Sequence, residues 1–162
     1  MFKLSKQLYI LIASVVIFPL LASCSFNDKE ALAVRQFHLK STQVSADNAQ
    51  MVRGEQQYRL RGALTRAQRR ERLGQYYTIE WNTGSLVNGA QPTHIVMDYQ
   101  QANSGSEKKR IQRQLQAGEY KGKTEFQIIG KNYHRYGRLL AWRVRLMSDS
   151  EVLAEKQSYL WR

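Results

Sequence analysis

Residues 140–146 read Leu-Ala-Trp-Arg-Val-Arg-Leu, the clearest alternation in the chain. Large apolar side chains occupy the even-numbered positions from Leu140 to Leu146, and Ala or Arg occupies the odd-numbered ones. A period of two with charge on one face predicts a half-buried antiparallel strand. The polar turn 148–150 leads into residues 152–161, which are again rich in aliphatic and aromatic side chains. Together the two segments predict a β-hairpin.

Five further segments outside this hairpin have a weaker or similar alternation. They predict strands at 37–41, 76–81, 94–99, 110–115 and 124–129. Asn, Gly and Ser, the usual turn residues, separate them, as in Asn88-Gly89. About seven short strands between turn signals are typical of an antiparallel β-sandwich or a small barrel. The sequence therefore predicts a mainly β fold.

One segment predicts a helix instead of a strand. Thr65 and Gln68 have the spacing of a capping box, and Gly74 follows Leu73 as a stop signal. We expect one short helix near 65–73, directly before the strand at 76–81.

The composition agrees with a single folded domain and excludes several other classes of protein. The chain has 162 residues, of which 43% are hydrophobic, with one Cys and two Pro. This length favours one domain with one core, and the composition argues against a disordered chain, a disulfide scaffold and a multi-pass membrane protein. The formal net charge is +12, from 25 Lys plus Arg and 13 Asp plus Glu.

The N-terminal segment has the composition of an export signal. Lys3 and Lys6 precede an uncharged apolar run at 8–22 that contains Pro19 and ends in small residues. A basic region followed by a short apolar region is typical of a signal peptide. A membrane-spanning helix needs about 20 apolar residues, so a permanent span is the weaker interpretation.

The run ends in Leu21-Ala22-Ser23-Cys24, which resembles the lipobox of bacterial lipoprotein precursors. The resemblance implies that the Cys24 thiol receives a diacylglyceryl group and that the signal peptidase cuts between Ser23 and Cys24. Two or three acyl chains would then hold the protein on a membrane, and this covalent lipid is the only added group expected. Lipidation would also explain a lone Cys in an exported chain.

The same resemblance divides the chain and suggests its location. Residues 1–23 form the signal peptide, 24–36 the lipidated Cys and a tether, and 37–162 one β-sandwich domain. In this family an Asp directly after the Cys tends to retain the protein in the inner membrane. Ser25 stands there instead, which implies the outer membrane if the host has two membranes. Cleavage removes two lysines and no carboxylate, so the remaining chain has a net charge of +10.

The expected sandwich loosely resembles the immunoglobulin and fibronectin type III class. The resemblance is one of architecture alone, because the chain has no Cys pair and no diagnostic Trp spacing. Trp81, Trp142 and Trp161 are expected to anchor the core.

Two regions are candidates for ligand or partner binding. The first is a cluster of guanidinium groups, which match phosphate and carboxylate oxygens bidentately: Arg53, Arg59, Arg61, Arg66, Arg69, Arg70 and Arg72. The second is an expected exposed partner loop with Tyr133, His134, Arg135 and Tyr136. A basic face that only aids solubility remains an alternative for the cluster. Nucleic acid is a poor candidate ligand because export separates the protein from it.

Catalysis is not expected from the residues present. The three histidines, His38, His94 and His134, are far apart in sequence and lack metal-ligand spacing. We therefore expect a non-catalytic binding or structural accessory lipoprotein of the cell envelope, with an unknown envelope protein as its partner and no metal. One alternative is a module that binds lipopolysaccharide or an acidic glycan through the arginines. The other is a small envelope hydrolase that uses His94 or His134.

Overall fold

The computed structural model describes residues 30–44, 48–85 and 91–162. The predicted signal peptide and the predicted processing site at Ser23 and Cys24 lie outside these ranges. The strands are β1 Leu32–Leu39, β2 Gly74–Asn82, β3 His94–Gln101, β4 Lys109–Gln114, β5 Lys121–Ile129, β6 Leu139–Ser148 and β7 Glu151–Gln157. The helices are α1 Gln50–Leu60, α2 Arg66–Glu71 and α3 Gly130–Tyr136, with a 3-10 turn at Thr83–Ser85. Among the described residues, no helix has the length and apolar character needed to cross a membrane.

The seven described strands form two antiparallel sheets that pack face to face. Sheet A has the order β1-β2-β5, and sheet B has the order β4-β3-β6-β7. The predicted mainly β sandwich is therefore confirmed. In constant-type immunoglobulin domains the fourth strand joins the sheet of the first, second and fifth strands, whereas here β4 pairs with β3 in the other sheet.

The core lies between the inner faces of the two sheets. Side chains at alternate strand positions point inward, and several are completely buried, among them Tyr77 and Ile79 from sheet A and Ile95, Met97 and Val144 from sheet B. Burying such a side chain stabilises the fold by about 1.5–3 kcal/mol. The apolar side chains that alternate along the strands therefore hold the two sheets together.

The sandwich has two different ends. At the Leu32 end, β1 begins opposite Trp81, and β5 begins at Lys121 opposite the last residue of β2. At the opposite end, which we call the helical end, Gly74 of β2 pairs with both Leu39 and Ile129. Helix α2 ends just before Gly74 and helix α3 begins just after Ile129. Both short helices therefore cap the same end of sheet A.

Most predicted strand boundaries differ from the structure by one to five residues, and the differences are largest at the start of β1 and the end of β7. Residues 32–36, predicted as the last part of the tether, belong to β1 and pair with β2. Strand β7 ends at Gln157, so the predicted strand at 152–161 is too long. The backbone turns after Gln157, where the Trp161 N–H donates to the Ser158 carbonyl. Trp161 is buried, but it is not part of the core cluster between the sheets, and Lys108 and Arg143 lie over its ring.

The predicted inward position of Leu140 is wrong. Leu140 is 42% exposed, while Leu139 and Ala141 on either side of it are buried. The pairing of β6 with β3 shifts here, because Gln100 pairs with Ala141 but Gln101 pairs with Leu139. Leu140 is the extra residue of a β-bulge in β6. The bulge reverses the faces that Leu139 and Leu140 occupy, an effect that simple alternation cannot show.

The helices were predicted only in part. Helix α2 is confirmed with its capping box: the Gln68 N–H donates to Thr65 Oγ1 over 3.1 Å, and the Thr65 N–H donates to Gln68 Oε1 over 3.0 Å. Helix α1 was not predicted. The predicted exposed loop at 133–136 lies in helix α3.

Candidate functional site: a basic cleft between two short helices

Helices α2 and α3 meet at Gly130. The Gly130 N–H donates to the Leu73 carbonyl over 3.0 Å, which ties the start of α3 to the end of α2. Gly130 has a φ of 57°, and a Cβ atom there would lie 2.5 Å from Glu71 Oε2 and 2.9 Å from the Glu71 carbonyl oxygen. Glycine is required both for the left-handed backbone and for this close approach.

A second bond between the helices fixes His134. His134 Nε2 lies 3.2 Å from the Arg70 carbonyl oxygen. A carbonyl oxygen only accepts hydrogen bonds, so Nε2 carries the proton in this contact. The bond brings the predicted partner residue His134 against the predicted arginine cluster.

A cleft of about 800 Å³ lies between the two helices. Four of its lining side chains are cationic at neutral pH: Arg66, Arg70, Lys131 and Arg135. Glu71 is the one carboxylate in the lining and His134 completes the polar groups, so the lining has a net charge of +3 with His134 neutral. The structure thus joins parts of both predicted regions into one basic site.

The cations of the cleft are available to a ligand. Arg66, Arg70, Lys131 and Arg135 are all exposed. Within the described parts of the chain, none of them forms an ion pair with a carboxylate. Guanidinium groups can bind phosphate or carboxylate bidentately, and lysine supplies a point charge. The arrangement is therefore suited to holding an anion.

Four other arginines of the predicted cluster have interaction partners within the protein. Arg69 Nε donates to the Ala63 carbonyl over 3.1 Å, and Arg72 Nη1 donates to the Arg59 carbonyl over 3.0 Å. Arg61 lies over the Tyr58 ring at 5.7 Å. Arg53 lies on α1 and also has an interaction partner. These four residues lie outside the lining of the cleft.

Arg59 is the most buried arginine of the cluster. It forms ion pairs with Glu55 and Glu125, and its guanidinium lies 4.1 Å from the centre of the Tyr76 ring. Burial by itself lowers the pKa of Arg59, but hydrogen bonds and charges from the two carboxylates raise it more. Arg59 therefore stays charged and fastens α1 to the outer face of sheet A.

Helix α3 divides the predicted partner loop into two faces. His134 and Arg135 are exposed on the side of the cleft, whereas Tyr133 and Tyr136 are half-buried. The Tyr133 hydroxyl lies 2.7 Å from His38 Nε2, and Lys109 Nζ lies 3.1 Å from the centre of the Tyr136 ring. The two tyrosines therefore attach α3 to the sandwich instead of facing a partner.

His38 lies on β1 beneath this helix. Burial lowers the pKa of His38, and the positive charges of Lys40 and Arg138 lower it further. The helical end is therefore electropositive even at a position outside the cleft.

Sequence reasoning missed a second charged cluster, on the outer face of sheet B. Asp98 is 5% exposed. It accepts hydrogen bonds from Arg110 Nε over 2.6 Å and Arg145 Nη2 over 2.8 Å, and Arg143 Nη2 lies 3.6 Å away. Burial by itself raises the pKa of Asp98, but Arg110 and Arg145 lower it more, so the pKa lies below its ordinary value. Strand pairing, which places these residues side by side, was the missing information.

The histidines named for a hydrolase lie at opposite ends of the molecule. His94 begins β3, and its Nδ1 lies 2.8 Å from Thr93 Oγ1, whereas His134 lies in the cleft. In the described ranges, no group of three or more His, Cys, Asp or Glu residues is placed to bind a metal ion.

Comparison of the chain with known protein families, with curated proteins and with solved structures gave no match.

Proposed function

We propose that the protein is a lipid-anchored binding module of the bacterial cell envelope, and of the outer membrane in a host with two membranes. Its anchor is Cys24, and its ligand is an anionic group on lipopolysaccharide or an acidic glycan. The observation that carries the proposal is the basic cleft between α2 and α3, in which four cations face solvent around one carboxylate. No covalent step is part of this function.

The attachment is supported by the sequence of residues 1–25. The basic residues, the short apolar run and Leu21-Ala22-Ser23-Cys24 follow one another in the order of a lipoprotein precursor. The anchor is tested by intact mass and membrane fractionation of the protein beside its Cys24→Ala variant. We expect added acyl mass on Cys24 and loss of membrane attachment in the variant. An unmodified Cys24 in a membrane-bound chain contradicts the anchor.

The anion-binding cleft is tested with polygalacturonate, a carboxylate glycan. In the Arg66→Gln/Arg70→Gln double variant we expect binding to weaken by about tenfold or more, since each lost bond involves a charged group. Binding by the unmodified protein should also fall steeply as salt rises. The measurement is a titration by fluorescence anisotropy at several salt concentrations.

The matched control removes the same charge at the other end of the molecule. Lys121→Gln/Lys123→Gln changes two exposed lysines at the Leu32 end. If binding depends on the cleft, the control binds almost as well as the unmodified protein. Equal weakening in both double variants means that net charge alone attracts the glycan, which contradicts a defined site.

A further inference from the structure

A second depression adjoins the cleft along helix α2, and we call it the sheet A depression. It has a volume of about 760 Å³ and lies between α1, α2 and the outer face of sheet A. Tyr58 and Arg61 line it from the end of α1, and Gln127 lines it from β5. Its lining shares Ala67 and Glu71 with the lining of the cleft, so the two spaces are neighbours.

Ala67 and Glu71 form the ridge between the cleft and the sheet A depression. They are four positions apart on α2, so their side chains are neighbours on one face of the helix. Ala67 is exposed and has only a methyl side chain, which leaves the ridge low beside Glu71. A helix with its side chains is about 10 Å wide. A ligand that occupies both spaces must therefore be an extended chain, whereas a single small anion occupies only one of them.

Glu71 lies on this ridge in the middle of the path of such a chain. It is exposed, and among the described residues it forms no ion pair. An ionised carboxylate only accepts hydrogen bonds, and it repels another anion. A ligand made of acidic groups alone is therefore repelled at Glu71. A ligand that also carries hydroxyl groups can donate one of them to this carboxylate.

The sheet A depression offers groups that suit a sugar. Tyr58 is 59% exposed, and the Arg61 guanidinium lies 5.7 Å from the centre of its ring. Gln127 is exposed on β5, and its Nε2 donates to Glu125 Oε1 over 2.7 Å. An aromatic ring can pack against the C–H face of a sugar, an amide oxygen accepts from its hydroxyl groups, and Arg61 can bind an acidic group. The depression therefore combines an aromatic surface with polar groups, as sites for organic ligands do.

We infer that the ligand is an acidic polysaccharide whose chain crosses α2 at Ala67 and occupies both the cleft and the sheet A depression. This inference rests on the proposed function, since it takes the cleft as an anion site. Acidic groups of the polysaccharide pair with the cations of the cleft and with Arg61, one hydroxyl donates to Glu71, and one sugar packs on Tyr58. Because two linked sites are engaged, a long chain binds more tightly than a short one.

The first experiment compares a long oligogalacturonate with digalacturonate as ligands of the Tyr58→Ala/Arg61→Gln double variant. By calorimetric titration, we expect the long chain to bind about tenfold more weakly to the variant than to the unmodified protein. Digalacturonate fits within the cleft and should bind equally to both proteins. The matched control, Tyr120→Ala/Lys121→Gln, removes an exposed tyrosine and an exposed cation at the Leu32 end and should bind the long chain normally.

The outcomes separate this inference from the proposed function. Long-chain binding that depends on Arg66 and Arg70 but not on Tyr58 and Arg61 overturns the inference and leaves the anion site intact. An equal loss in the Tyr120→Ala/Lys121→Gln control also overturns the inference. Absence of binding to the unmodified protein overturns the proposed function itself.

The second experiment leaves α1 unchanged and compares two ligands. Glu71→Ala is titrated with the long oligogalacturonate and with inorganic polyphosphate, a polyanion almost without hydroxyl groups. The variant should bind the glycan about fivefold more weakly, because the partner of a hydroxyl is lost, and polyphosphate more tightly, because repulsion is removed. Glu107→Ala, which removes an exposed carboxylate outside both linings, should change neither affinity by as much. Tighter binding of both ligands to Glu71→Ala means that Glu71 only repels, which overturns the inference.

Discussion

Two arginine-rich regions of this molecule use the same residue type in opposite ways. On the outer face of sheet B, three arginines surround one buried carboxylate, that of Asp98. In the cleft between α2 and α3, exposed cations surround a single carboxylate, Glu71, with which none of them pairs among the described residues. The first region is occupied by its own partners, whereas the second is open to a partner from outside.

The difference teaches that arginine density is a poor guide to a binding site. Arg110 and Arg145 come from different strands and converge on Asp98 because β4 and β6 flank β3. Arg66 and Arg70 share one short helix with Glu71, and among the described residues neither of them pairs with it. Which cations remain available depends on strand and helix neighbours, and not on their number.

The largest expected effect comes from removing the carboxylate of Asp98, at the centre of the cluster on sheet B. Asp98→Ala leaves Arg110, Arg143 and Arg145 without their shared partner, and losing hydrogen bonds between charged groups costs up to about 3 kcal/mol. We expect this loss in the free energy of unfolding, measured by urea denaturation. Glu107→Ala removes an exposed carboxylate and should change stability by less than about 0.5 kcal/mol. A similar loss in both variants would mean that Asp98 has no special role.

A smaller effect is expected from disturbing the contact between Gly130 and Glu71, which shapes the cleft. Gly130→Ala places a methyl group against Glu71 in a left-handed backbone, so we expect about 2 kcal/mol of destabilisation from strain and contact together. Displacing α3 from α2 should also weaken polygalacturonate binding. The matched control is Gly118→Ala, because Gly118 has a φ of 83° but no atom within 4 Å of the added Cβ. If Gly118→Ala weakens glycan binding as much, the helix contact does not shape the cleft.

The smallest effect is a pH dependence that separates His38, at the helical end, from the Asp98 cluster on sheet B. The pKa of His38 lies below its ordinary value of 6.5, so below that pH the unfolded chain binds more protons than the folded one. The free energy of unfolding should therefore fall as the pH falls through 6.5. Urea midpoints measured near pH 7.5 and about pH 5.5 should show this fall. Both pH values lie above the range in which carboxylates ordinarily titrate.

His38→Gln is the control for this pH dependence, because it removes the titrating ring. The pKa of Asp98 lies below its ordinary value of 3.8, so its contribution stays constant in that interval and is lost only at more acidic pH. An unchanged fall in His38→Gln would assign the effect to another group.

Most of the fold could be predicted because a half-buried strand alternates apolar and polar residues with a period of two. Segments such as 76–81 and 94–99 alternate with the period that the two sheets require. Leu140 was misplaced because a bulge depends on the pairing partner, Gln100 to Gln101, which lies far away in sequence. Helix α1 was missed because its buried residues, Gln56 and Arg59, are polar, so no apolar periodicity marks it.

The candidate site could be predicted only in pieces. The sequence indicated both Arg66 to Arg72 and Tyr133 to Tyr136, but it contained no sign that they meet. Their contact depends on the pairing of Gly74 with Ile129, which brings the end of α2 beside the start of α3. The sequence showed that the chain is basic. Which cations have a carboxylate partner and which do not could be known only from the register of both sheets.

The attachment of α1 has a consequence for how the protein opens. Its buried side chains are Gln56, which donates to the Ser41 and Gln43 carbonyls, and Arg59, which pairs with Glu55 and Glu125. Water can replace such polar contacts at lower cost than it can replace the apolar core between the sheets. We therefore expect helix α1 to open as a separate unit of local unfolding, which would expose Tyr76 while both sheets stay intact.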